Sequence, residues 1–310
     1  MTSRYDRLIT ACAQLPPTRV AVAHPCDATS LLSAIEAMQA GIIMPILVGP
    51  QAKIAAAAQA AGVSLDGIEQ VDAPHSDAAA EIAVGLVREG RAEALMKGSL
   101  HTDELMRPVV AREGLRTKRR VSHCFVMDVP GHPDPLIISD AAVNIAPTLA
   151  EKADITQNAI DLAHALGFQQ VRVAILSAME TVNPAVPSTI EAAALCKMAD
   201  RGQITGGVLD GPLALDNAID PDAAAIKKIV SPVAGRANVL IVPDLEAGNM
   251  LAKSLTFLAG AQAAGIVVGA RVPIILTSRA DSQVTRIASC AIAALVAAGR
   301  RTMPARALGD

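Results

Sequence analysis

The sequence predicts an α/β protein with mainly parallel sheets arranged in two domains, and three observations carry that reading. Short apolar runs alternate with longer amphipathic stretches from end to end, the pattern of strands joined by helical crossovers. The chain has 310 residues, too many for one small core and enough for two. The alternation also restarts after Pro147, which places a domain junction there. No low-complexity linker separates the halves, so a compact join with a cleft between domains is expected.

In chain order, residues 19–23 read as a strand and 28–40 as a helix. Residues 46–48 are a strand, followed by an Ala-rich helix over 51–61 and another helix over 77–89. The strand at 94–96 leads into Lys97-Gly98, and a helix covers 102–112. Residues 121–129 and 136–139 read as adjacent strands. Pro130-Gly131-His132-Pro133-Asp134-Pro135 between them cannot be helical, which makes one antiparallel pair in an otherwise parallel series. After Pro147 come a helix (149–166), a strand (171–176), a helix (187–201) and a strand ending at 208–212. A helix (223–229), a strand (239–242), a helix (247–258) and a strand (266–268) follow. Residues 272–277 read as a buried strand, and 281–298 as the last helix.

Composition narrows the function. With 52% hydrophobic residues but no Trp, one Tyr and three Phe, the core is aliphatic. The same scarcity removes the stacking platforms that single-stranded nucleic acid needs, and a net charge of -3 provides no broad basic field. Cys12, Cys26, Cys124, Cys196 and Cys290 are scattered without a C-x-x-C, as reduced thiols in a cytosol would be. Residues 1–6 lack the apolar core of a signal peptide, and no run approaches the ~20 apolar residues that span a bilayer. A soluble cytoplasmic protein with neither membrane nor nucleic-acid partners is expected.

Neither a G-x-G-x-x-G fingerprint nor a Walker P-loop occurs, and no paired Cys/His cluster suggests a metal. The six histidines are dispersed and read as structural or solvated. Polar residues gather instead where strands end, the ligand position of open α/β sheets. The most informative is Ser278-Arg279, a hydroxyl and a guanidinium between the 272–277 strand and the last helix. Arg presents a planar fork of donors that suits phosphate. Lys97-Gly98-Ser99 ends another strand, with Thr102 and Arg107 in the next helix. Ser139-Asp140 with Asn144, Asp210-Gly211-Pro212, and Asp244 with Gly248, Asn249 and Lys253 end three more. Singly, each aspartate reads as a cap or turn former and each cation as surface charge; five such ends on one rim point to a ligand site. The basic run Arg116-Thr117-Lys118-Arg119-Arg120 reads as a solvated loop or as a landing site for a polyanion.

Together these clusters resemble the phosphate acetyl/butyryltransferase family, the phosphotransacylases, over nearly the whole chain. The most specific segments are Pro243-Asp244-Leu245-Glu246-Ala247-Gly248-Asn249 and Pro273-Ile274-Ile275-Leu276-Thr277-Ser278-Arg279. The resemblance implies interconversion of acyl-CoA and phosphate with acyl phosphate and free CoA. Coenzyme A is then a substrate, with no tightly bound cofactor and no metal. It also implies two αβα domains similar to the isocitrate and isopropylmalate dehydrogenases, with the site in the cleft. Domain I would hold 1–147 and, returning, 270–310; domain II would hold 148–269. Homodimers are common in such families.

In that reading Ser278 and Arg279 are catalytic. Lys97, Gly98, Thr102, Arg107, Ser139, Asp140 and Asn144 bind phosphate or substrate. Asp210, Gly211, Pro212, Asp244, Gly248, Asn249 and Lys253 bind CoA. The acetyl-type pattern has Gly after the Ser-Arg and a carboxylate seven residues after the Ser. Here Ala280 and Thr285 stand in those places, which looks more like the butyryl-type branch. Asp281 is read as the catalytic base, with the N-cap of the last helix as its alternative. A metal- and NAD-dependent dehydrogenase of similar architecture, and a non-catalytic CoA-binding protein, are the competing functions.

Overall fold

The structure, a computed structural model, describes residues 4–12, 14–277 and 281–302. Val20, Ala21 and Val22 have no exposed surface, and the run around them forms an interior strand, β1 (Thr18–Ala23). Parallel neighbours flank it: β2 (Ile43–Gly49) on one side and β4 (Ala94–Lys97) on the other. Beyond β2 lies β3 (Glu69–Asp72), and beyond β4 lies β11 (Ile274–Ile275), both parallel. β10 (Gln262–Val268) pairs antiparallel with β11. Around this sheet are α1 (Arg4–Cys12), α2 (Ala28–Gln39), α3 (Gln51–Ala61), α4 (Ser76–Arg88), α5 (Thr102–Val110) and α11 (Gln283–Thr302). Small residues let α11 lie close: Ala288, Ser289, Cys290, Ala291 and Ile292 are fully buried, and Ser289 Oγ accepts from Gly265 N at 3.2 Å.

A second set of strands runs β5 (Ser122–Asp128), β6 (Leu136–Ser139), β9 (Val239–Ile241), β7 (Arg172–Leu176), β8 (Val208–Leu213) in spatial order. β5 and β6 are antiparallel; β6, β9, β7 and β8 are parallel. The helices here are α6 (Leu149–Ala165), α7 (Pro187–Asp200), α8 (Leu215–Ile219), α9 (Pro221–Ile226) and α10 (Leu245–Leu258). Thr148 and Glu151 form a capping box that starts α6, which is why the pattern restarts at Pro147.

The chain divides into two compact units, Met1–Arg119 with Ala264–Asp310, and Arg120–Ala263. The junction therefore falls near residue 120 instead of Pro147, and the return near 264 instead of 270. β6 pairs with β9, register Ser139 to Ile241, so the β5–β6 hairpin belongs to the second unit. β10 pairs with β11, register Ile266 to Ile275, and its residues from Ala264 on fall in the first unit. The mixed α/β fold is as expected. The 272–277 run supplies only the two-residue β11, because Pro273 has no N–H to give the ladder, though its carbonyl accepts from Leu95 N at 3.1 Å. Among the described residues no helix is long and apolar enough to cross a membrane.

Candidate active site

In the second unit, parallel pairing brings the C-terminal ends of β6 and β9 side by side. Asp140, 3% exposed, follows β6 and is saturated with donors. Its Oδ1 accepts from Ala142 N at 2.9 Å and Val143 N at 3.0 Å. Its Oδ2 accepts from Asn144 Nδ2 at 2.6 Å, His123 N at 3.2 Å and Asn144 N at 3.3 Å. Ser139 Oγ donates to His123 O at 2.9 Å, and Asn144 Nδ2 also donates to Val121 O at 2.9 Å. Asn144 Oδ1 accepts from Arg120 Nε at 2.7 Å, and Arg120 pairs with Glu151 at 3.2 Å. The Asp140–Asn144 loop is thus held by its own polar side chains, and Arg120 is committed to it.

The start of α10 presses on that loop. Asp244 caps the helix, accepting from Ala247 N at 2.8 Å. A Cβ on Gly248 would stand 2.6 Å from Asp140 O and 2.8 Å from Val242 Cγ2, so only glycine allows this approach. Asn249 Nδ2 donates to Ala141 O at 3.2 Å. Ser139, Asp140, Asn144, Asp244, Gly248 and Asn249 therefore form one cluster, with Lys253 exposed farther along α10. Asp210, Gly211 and Pro212 are not in it. They lie within β8, separated from β9 by β7, and Asp210 Oδ1 accepts from Gly211 N at 2.9 Å. Gly211 is needed because a Cβ there would meet Ile175 Cβ at 2.8 Å.

In the first unit, β1, β4 and β11 are adjacent and parallel, so His24, Lys97-Gly98-Ser99 and Leu276-Thr277 leave the sheet at one end. Gly98 N donates to Ala23 O at 2.9 Å, and a Cβ at Gly98 would lie 2.4 Å from that oxygen. Lys97 Nζ donates to Leu100 O at 3.0 Å. Thr102 opens α5. Arg107 is expected as a phosphate ligand; the structure places it on the α4–α5 flank, its side chain 69% exposed and paired with Asp77 at 3.2 Å. It lines a hollow of about 500 Å³ with Glu81, Arg88 and Glu104. Ser278 and Arg279 lie outside the described residues. The cap of α11 is Ser282, not Asp281: Ser282 Oγ accepts from Thr285 N at 3.2 Å. In the basic run, Arg116 bridges to Ala270 and Thr117 Oγ1 donates to Gly269 O at 2.7 Å, which ties the loop's backbone down.

The sequence reading passed over one group. His75 Nδ1 accepts from Ala78 N at 3.2 Å, and His101 N donates to Glu104 at 2.6 Å, both at helix starts. His132 bonds Asp134 O at 2.7 Å, His164 bonds Gly206 O at 2.7 Å, and His123 is buried. His24 alone stands at the strand-end rim. It has φ 55°, left-handed for a non-glycine residue, and its Nδ1 lies 3.0 Å from Ser99 Oγ. Burial first, then the Lys53 charge, holds its pKa below the ordinary 6.5. Nothing local in Ala23-His24-Pro25 announces this conformation.

A family model described as phosphate acetyl/butaryl transferase matches residues 76–294. The chain is 67% identical over 300 residues to a phosphate acetyltransferase of Rhizobium meliloti, covering 96% of this chain and 95% of that protein. It is 42% identical to a phosphate butyryltransferase of Clostridium beijerinckii, covering 96% and 99%. A solved branched-chain phosphotransacylase from Enterococcus faecalis superposes with a TM-score of 0.79 at 29% identity, covering 90% of this chain and 99% of that one. A more distant likeness of fold, TM-score 0.55 at 12% identity over 91% and 99% of the chains, links it to a 4-hydroxythreonine-4-phosphate dehydrogenase from Klebsiella pneumoniae.

Proposed function

This chain belongs to the phosphate acetyl/butyryltransferase family and is an acyltransferase, and from that premise we propose that it works by direct thiol attack on a bound acyl phosphate. The CoA sulfur attacks the acyl carbon, the carbon–oxygen bond to phosphate breaks, and phosphate leaves with the electron pair. CoA is a substrate, with no other cofactor and no covalent acyl-enzyme. Burial raises the thiols of Cys12 and Cys26 to about 11 and those of Cys124, Cys196 and Cys290 to about 12, which disfavours the nucleophilic thiolate at each.

Arg279 holds the phosphoryl oxygens, and Ser278 donates to the oxygen that turns anionic at the tetrahedral stage, a donor worth about 3–4 kcal/mol. Lys97 and Thr102 are assigned to phosphate, and Asp244, Gly248, Asn249 and Lys253 to CoA. Ser139, Asp140 and Asn144 act through the loop they hold. The thiol proton needs a base, for which the sequence offers Asp281. The acyl group is acetyl, although Ala280 and Thr285 resemble the butyryl branch. The observation that supports acetyl is the 67% identity, over 96% of the chain, to a phosphate acetyltransferase. The architecture is that of the isocitrate dehydrogenase class, and the working form is a cytoplasmic homodimer. Thiol consumption with acetyl, propionyl and butyryl phosphate tests the reading. The highest kcat/KM should be with acetyl phosphate; butyryl in first place overturns the acyl assignment, and no turnover of any of the three overturns the mechanism.

A further inference from the structure

We propose that His24, rather than Asp281, is the general base, its Nε2 taking the proton from the CoA thiol as the sulfur attacks. The inference deepens the acyl-transfer reading above and rests on it.

Hydrogen-bond bookkeeping sets the tautomer. Ser99 Oγ lies 2.8 Å from His24 O, a pure acceptor, so the single hydroxyl proton of Ser99 must point there. Ser99 Oγ can then only accept from its other partners, Cys26 N at 3.3 Å and His24 Nδ1 at 3.0 Å. Nδ1 therefore carries the ring proton, and Nε2 carries the lone pair. No hydrogen bond to Nε2 occurs among the described residues. A base held in one tautomer by its other nitrogen is the arrangement that proton abstraction requires.

The backbone is over-determined around that ring. His24 N donates to Val48 O at 2.7 Å, and His24 O accepts from Cys26 N and Ser99 N, each at 2.9 Å. Gly98 packs on the His24 carbonyl, where a Cβ would come within 2.5 Å of it, and a Cβ on Gly49 would stand 3.4 Å from the His24 Cα. A left-handed non-glycine residue held from so many sides points to a functional demand. The charged groups facing the ring are Lys53 from α3, Glu104 from α5 and Asp27 at the start of α2. Both carboxylates are occupied: Asp27 accepts from Ser30 N at 2.7 Å, and Glu104 from His101 N at 2.6 Å and Ser76 Oγ at 2.8 Å. The acetyl-type carboxylate position is Thr285, which is buried and bonded to Ser282. The step balances: the thiol proton passes to Nε2, the sulfur bonds the acyl carbon, and the phosphate leaves and recovers the proton from the imidazolium.

The experiment compares wild type, His24→Asn, His24→Ala and Asp281→Asn with acetyl phosphate and CoA. Asn tolerates the left-handed backbone and keeps an N–H for Ser99, but has no basic nitrogen. His24→Asn should lower kcat by about 10²–10⁴-fold with KM values little changed. Wild-type kcat/KM should level off above pH 6.5, whereas that of His24→Asn should keep rising there, about tenfold per pH unit, with the thiolate fraction of CoA. Added imidazole should restore part of the activity of His24→Ala. Ser99→Ala frees the ring to change tautomer and should lower kcat about tenfold at unchanged KM; an unchanged kcat overturns the assignment even if the His24 variants fail to fold. So does a His24→Asn enzyme within threefold of wild type, or an Asp281→Asn enzyme that shows the rate loss and the missing plateau in its place. An inactive wild type overturns the acyl-transfer reading instead.

Discussion

Replacing Asp140 by Asn asks whether this buried carboxylate is a ligand for phosphate or an anchor for its own loop. Five N–H groups point at it, two at Oδ1 and three at Oδ2. An amide keeps one acceptor oxygen and turns the other into a donor. The cheaper orientation keeps the oxygen toward the three donors and gives up the two bonds from Ala142 and Val143. Each bond to a charged acceptor is worth about 1.5–3 kcal/mol, so the loss is about 3–6 kcal/mol, before counting donor–donor repulsion. Hydrogen exchange at the amides of Ala142, Val143 and Asn144 reads the loop's opening free energy directly. It should drop by that amount, and the melting temperature should fall with it. If protection at these amides changes by less than about 1 kcal/mol while the phosphate KM rises 100-fold, the carboxylate is a ligand and the anchoring argument is wrong.

Other perturbations follow the same logic. Gly248→Ala puts a Cβ 2.6 Å from Asp140 O, and the resulting overpacking should cost about 1–3 kcal/mol in thermal unfolding; an unchanged melting temperature contradicts the close approach. Burial lowers the His123 pKa, so the unfolded chain binds its proton more readily than the folded one. Stability should hold above pH 6.5 and decline below it, and His123→Phe should flatten the decline; equal slopes for both proteins in denaturant titrations exclude His123 as the cause. Arg279→Ala should reduce kcat/KM by about three orders of magnitude without altering the melt, and near-normal turnover rejects its role.

Much of the fold was legible because its signals are local. The helix Gln51–Ala61 and the strand Leu136–Ser139 appear with the bounds the sequence predicts, bracketed by Pro50 and Gly62 and by the Pro-rich turn before Leu136. β3, with the sequence Glu69-Gln70-Val71-Asp72, was invisible: an exposed edge strand has no apolar alternation, and only pairing with β2 defines it. The strand-end clusters were legible as polar residues at the right places. Which ones meet was not, since Gly248 reaches Asp140 only through the pairing of β6 with β9, while β7 keeps Asp210 apart.

Residue order alone determined the aliphatic α/β class, the strand–helix succession and the chemistry offered where strands end, because periodicity, turn residues and side-chain type act over a few neighbours. Tertiary structure decided the unit boundaries, the choice of Ser282 over Asp281 as a cap, the saturation of Asp140 and the tautomer of His24. Each of these depends on a hydrogen-bond partner or a close backbone approach. For His24 the partners are Val48, Gly49, Gly98 and Ser99, and no local pattern announces neighbours brought together by strand pairing.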